Sequence, residues 1–368
     1  MHKILTTTLF TLFILSNTWG QAFYAYKNNF TDSRSRFYVF DDGKVRQLEG
    51  QGVQIYKYGR DFTAYMDVAN NFKISYATSS QMLESVRPTQ FDVKAGMLAY
   101  LVNQNLKVLW HGRVKTIAQF VDGFSLSDSM IYFTDRNNYE QVFYNGATYQ
   151  LGLRIVKEYR QGRNIIAYIT NTGRFNTFYR GQKISVDEYI PQEYKVGANI
   201  IGYKDVTGQL KVFHKENIYT VSKVQPEFFE VGDDVMIWGA LGQNFYAYSN
   251  GKLTTLLEFI PPKGTYGVVD SLAYFEDVNN QFKVYDQGEI HTVLTYKPNS
   301  FKIMNSTLLF TDQYNRLHMY KDGEVTEISK KVITDFDINW GTIVYWTNQS
   351  NIMYIYHNGR EIPIDLTM

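Results

Sequence analysis

Tyr266–Val293 reads YGVVDSLAYFEDVNNQFKVYDQGEIHTV, four short apolar runs separated by polar turn residues, with no stretch that keeps helical spacing. The runs at 266–269, 272–275, 282–285 and 290–293 predict four short strands. Three more stretches align with this one without a gap, starting at Phe124, Tyr194 and Phe301. Each opens on an aromatic residue and carries a second at Phe133, Tyr203, Phe275 or Phe310. An acid follows two residues later, at Asp135, Asp205, Asp277 or Asp312, and a third aromatic stands at Phe143, Phe213, Tyr285 or Tyr320.

The turn after the third aromatic can be followed along the whole chain, as Gly43, Ser79, Gly112, Gly146, Gly181, Glu216, Gly251, Gly288, Gly323 and Gly359. The steps run from 33 to 37 residues, so ten units share one period near 35. Several of these turns read Asn-Gly or Asp-Gly, which accept the positive φ of a two-residue hairpin and make the flanking strands antiparallel. A parallel β-helix would need one strand direction and no recurrent hairpin. Tandem four-stranded antiparallel units instead predict an all-β fold, a β-propeller of about ten short blades. Two five-bladed propellers are the alternative, because rings usually hold four to eight blades. The first unit begins near Ala22 with its second strand and the last ends after its fourth, so the ring closes on side-chain packing alone or stays open.

The pattern resembles the short bacterial propeller repeats of the TolB-like and WD40-like superfamily over nearly all of residues 22–364. The resemblance is one of fold only. The Trp-Asp pair, the Gly-His pair and the Ser-Pro-Asp-Gly turn of those relatives are missing, so no functional residue is carried over.

Residues 1–20 read as a signal peptide: His2 and Lys3, then an apolar run from Ile4 to Ser16, then small residues before Gln21. Cleavage after Gly20 is expected, or else after Ala22, leaving 21–368 as the propeller domain. The apolar run is too short to anchor the chain in a bilayer. Without cysteine there is no lipidated N-terminus and no disulfide. A periplasmic protein is expected, a secreted one being the alternative. Against 37 Lys and Arg stand 36 Asp and Glu, and losing Lys3 with the leader balances them, which argues against a nucleic-acid partner.

No catalytic, metal-binding or phosphate-binding motif is present, and no cofactor is expected. The histidines fall in different units or phases and read as solvated turn residues. The recurrent acids Asp67, Asp135, Asp205, Asp277 and Asp312 each precede an Asn- or Gly-rich turn, whose amides they can cap. One feature breaks the repeat. Two residues before the turn most units carry a polar or small residue, such as Asp41, Ala77, His214 or Ser249, but three successive units carry Trp110, Tyr144 and Tyr179. Side by side on adjacent blades, these rings predict a binding surface, with core packing as the competing reading. The leading functional expectation is a non-enzymatic periplasmic scaffold for a protein partner in the cell envelope, such as the plug of the type IX translocon docked on its outer-membrane channel. A carbohydrate-binding propeller is the second expectation, and a hydrolase or lyase with dispersed catalytic residues the third.

Overall fold

The computed structural model describes residues 27–76, 79–153, 159–240, 242, 244–349 and 351–367; the expected leader and its cleavage points lie outside them. Among the described residues every regular element is a strand. The strands form ten antiparallel sheets, nine of four strands laid side by side in chain order and one of three. The three-stranded sheet, blade 1, holds Lys27–Thr31, Phe37–Asp41 and Lys44–Glu49, which match the second to fourth strands of the other blades.

Burial follows the position of a strand in its blade. The second strand of blade 3, Met97–Val102, is buried at all six residues, because a sheet sandwiched between two others needs apolar side chains on both faces. The fourth strand of blade 6, Asn217–Ser222, is mostly exposed and belongs to the outer rim. First strands face the axis. The core is therefore a series of slabs between neighbouring blades. Tyr168 and Phe178 of blade 5 pack against Met130 and Val142 of blade 4. On its other side Phe175 meets Tyr194 and Tyr203 of blade 6, so no gap divides the chain into two five-bladed rings.

The ring closes. Phe30, Tyr38 and Phe40 of blade 1 share one apolar cluster with Val344, Met353 and Ile355 of blade 10. The His357 imidazole lies edge-on to Phe40, with ring centroids 5.5 Å apart. One backbone hydrogen bond crosses the seam, from Ser33 N–H to the Leu366 carbonyl at 2.8 Å. No strand from one end of the described chain completes the blade at the other.

Turns between third and fourth strands repeat with one geometry. Asn145-Gly146, Asn250-Gly251 and Asn358-Gly359 all have positive φ at both residues, the conformation whose twist suits a tight hairpin. In blade 6 the pair is Lys215-Glu216, and Glu216 holds φ of 67° without being glycine. The left-handed region costs a side-chain-bearing residue about 1–2 kcal/mol. Part of that gain is offset by the extra freedom glycine has when unfolded. Glu216→Gly is therefore expected to stabilise the fold by about 1 kcal/mol, read as a higher urea midpoint at unchanged slope.

Blade 2 departs from the expected register by one residue. Tyr76 pairs directly with Ser79, so Ser79 opens the fourth strand instead of standing in the turn. Ala77, expected two residues before the turn marker, lies outside the described residues, and Tyr76 takes that place. Aromatic residues thus occupy this position in four successive blades, 2 to 5.

Candidate functional site

Strands alternate in direction, so the turns after the first and third strands of every blade lie on one face of the ring. The turns after the second strands lie on the opposite face, and there the repeated acids act as caps. Asp205 accepts hydrogen bonds from the N–H of Thr207 (2.9 Å) and Gln209 (3.0 Å), and its other oxygen meets Lys211 Nζ at 2.9 Å. Burial opposes its ionisation, but Lys211, Thr207 and the Gln209 amide outweigh that and hold the carboxyl at about 2. Asp67, Asp135, Asp277 and Asp312 make the same pair of backbone contacts. These carboxylates are consumed by the fold.

On the first face two rings of residues matter. The inner ring belongs to the turns after the first strands. In blades 5 to 8 these turns touch: Asn164 N–H bonds the Ala198 carbonyl (2.9 Å), Ala198 N–H the Asp233 carbonyl (2.9 Å), and Asp233 N–H the Asp270 carbonyl (2.6 Å). Arg163 projects among them and reaches three carboxylates, Asp233 at 2.7 Å, Asp270 at 2.6 Å and Asp128 at 3.4 Å. It thereby ties blade 5 to blades 4, 7 and 8. Burial pushes Asp233 up to about 7; Arg163 works against this, while Asp270, Asp234 and Asp128 add to it. Because the unfolded carboxyl titrates near 3.8, the unfolded chain loses this proton first as pH rises. Stability at this site is thus expected to fall between about pH 4 and pH 7. Asp233→Asn keeps an oxygen for Arg163 and removes the charge. Thermal melts across that range should show a flatter profile and a higher midpoint above pH 7 than the parent.

The outer ring is aromatic in blades 2 to 5. Tyr76 is 56% exposed, while Trp110 and Tyr144 are half-buried. Trp110 stands edge-on to Phe143 of blade 4 (5.5 Å) and to His111 (4.6 Å), which fixes the indole at the boundary between blades 3 and 4. Tyr144 meets Phe178 of blade 5 in the same manner at 6.0 Å. Tyr179 differs: it is 1% exposed, with Phe213 at its edge and the Arg180 guanidinium over its face at 5.1 Å. Its hydroxyl has no hydrogen-bond partner among the described residues. The surface expected from Trp110, Tyr144 and Tyr179 is therefore corrected: Tyr179 is core, and Tyr76 joins the other two. The histidine expectation is corrected as well, since His214 and His357 are buried, His214 Nδ1 standing 3.2 Å from the Tyr248 hydroxyl.

Two cavities open beside Trp110. One, of 390 Å³, lies between blades 2 and 3 and is lined by Arg60, Asp61, Tyr76, Gln81, Trp110 and His111 among others. The second, of 460 Å³, lies between blades 3 and 4, with Arg60, Trp110, Asp128, Ser129, Tyr144 and Asn145 in its wall. Trp110 and Arg60 belong to both. Arg60 is held by the neighbouring Asp61, with both nitrogen-to-oxygen distances at 3.1 Å. The two cavities adjoin across Trp110, Arg60 and Gly96 and are together termed the groove; each is in the size range of small-molecule sites. Among the described residues no group of three or more metal-ligating side chains converges.

The profile of the 10-bladed beta propeller domain matches residues 22–362. The chain belongs to this family. The propeller matches none of the curated proteins in sequence. Solved structures similar to it include the computationally designed Ika8 protein, at 12% identity and TM-score 0.31, covering 74% of this chain and 94% of that one. The tricorn protease is 10% identical with TM-score 0.31, covering 93% of the propeller and 46% of the protease chain. PorZ, a surface component of the type-IX secretion system of Porphyromonas gingivalis, is 10% identical with TM-score 0.27, covering 93% and 59%. The family assignment rests on the profile match.

Proposed function

We propose that the propeller is a non-enzymatic interaction scaffold, exported to the periplasm of a bacterial cell, where it docks a protein partner of the envelope. An outer-membrane export channel such as that of the type IX translocon is the partner this reading favours. The observation that carries the proposal is the groove on one face of the closed ring, where Tyr76, Trp110 and Tyr144 stand on adjacent blades beside open cavities. Rings held by a rigid scaffold and left partly uncovered are what recognition surfaces use. The propeller fold itself is a common platform for protein interaction, and the amino-terminal apolar stretch fits export.

The test is affinity purification from the native envelope, with the parent and with Trp110→Ser/Tyr144→Ser. The parent is expected to bring down an outer-membrane protein, and the double variant to lose it. Equal recovery by both would refute this face as the binding face. The mass of the purified chain should correspond to a start at Gln21 or Phe23, and a chain still carrying Lys3 would refute export by cleavage.

A further inference from the structure

We infer that the groove around Trp110 is a carbohydrate site with two sugar-ring subsites, one in each cavity, and the shared indole as the platform between them. The inference rests on the reading of this face as the binding face and names the chemistry it recognises. Each cavity combines an aromatic wall with planar polar groups. The first has Tyr76 and Trp110 with Gln81 and His111; the second has Trp110 and Tyr144 with Asp128 and Asn145. A pyranose presents an apolar C–H face and an edge of hydroxyls that both donate and accept. Aromatic rings match the first surface, and carboxylates and amides match the second, since they bond two neighbouring hydroxyls at once.

Other ligand classes fit less well. An anionic ligand would meet Asp128, while Arg60, the arginine common to both cavities, is bridged by Asp61. An extended peptide would gain most by pairing its backbone with a free strand. The strands ending in the three rings, Phe72–Tyr76, Asn105–Trp110 and Tyr139–Tyr144, are each paired on both sides, so they offer no edge. What the groove offers is side-chain chemistry at fixed spacing, suited to a neutral, polar molecule with flat apolar faces. A second cavity across the indole from the first calls for a chain of such units.

The experiment uses the mature propeller against immobilised neutral oligosaccharides of the cello-, manno-, malto- and chito-series, followed by tryptophan-fluorescence titration of the best binder. Binding of at least one series is expected. Trp110→Ser should weaken it about tenfold, the value of one ordinary aromatic contact, with partial recovery in Trp110→Phe. Tyr76→Ser, at an exposed position that leaves the fold intact, should cause a smaller, severalfold loss. Absence of binding to every series, or titrations unchanged in both serine variants, would overturn the proposal. The outcomes separate it from the scaffold reading. Loss of the envelope partner in Trp110→Ser/Tyr144→Ser, with no sugar bound by the parent, removes the carbohydrate site alone. Trp110-dependent sugar binding with unchanged partner recovery removes the docking assignment alone.

Discussion

Tyr179→Ser is expected to destabilise the propeller by about 3–5 kcal/mol, the usual cost of emptying a buried aromatic site. The ring is 1% exposed and fills the slab between blades 5 and 6, beside Phe213. Trp110→Ser and Tyr144→Ser, at half-buried positions bordering open cavities, should cost about 1 kcal/mol each, because little of their contact area is lost to a closed void. Tyr179→Phe should leave stability unchanged or raise it, since the buried hydroxyl it removes has no partner among the described residues. Urea titration of the four variants decides the matter. A Tyr179→Ser chain as stable as the parent would return this ring to the surface.

A second large effect is expected at Gly197. A Cβ there would lie 1.6 Å from the Gly232 carbonyl oxygen, and one on Gly162 would lie equally close to the Gly197 carbonyl. The obstacle is backbone, and that backbone is itself held by hydrogen bonds between successive turns, so it cannot move aside without breaking them. Gly197→Ala should cost about 3 kcal/mol or more. Gly152→Ala, where nothing stands within 4 Å of the new methyl, is the control and should be nearly neutral. Thermal melts of both chains would show it; similar midpoints would mean that the turns of blades 5 to 7 are looser than described.

The blade count and strand directions were legible because they depend on local chemistry repeated many times. Asn-Gly and Asp-Gly pairs bring their own positive φ, and a short apolar run such as MLAYLV between turn residues fits a strand buried on both faces. The burial of Tyr179 was not legible, because it depends on the next blade. Gly146 and Gly181, in the turns of the next blades, lie beside Trp110 and Tyr144, whereas the corresponding turn in the blade after Tyr179 carries Glu216. The register slip at Ser79 has a similar origin, since no glycine marks that turn. The axial residues were missed although their signal was present: positions 128, 163, 198, 233 and 270 advance by 35, 35, 35 and 37. Three of them are Asp, but Arg163 and Ala198 interrupt the run. A search for repeated residue types overlooks a position whose value lies in its opposite charges.

The seam between blades 10 and 1 rests, like the neighbouring junctions, on an apolar slab and edge contacts, although blade 1 brings only three strands to it and no strand is exchanged across it. A circle whose joints are all held by packing between whole blades can be started at more than one of them. Joining the chain ends and opening the backbone in another connection between blades should therefore yield a circularly permuted protein that still folds to the same ring. The seam is also the joint that the backbone does not bridge, since blade 1 opens the series of strands and blade 10 ends it. Under mechanical load applied at the two ends, the circle should part there first and unroll blade by blade.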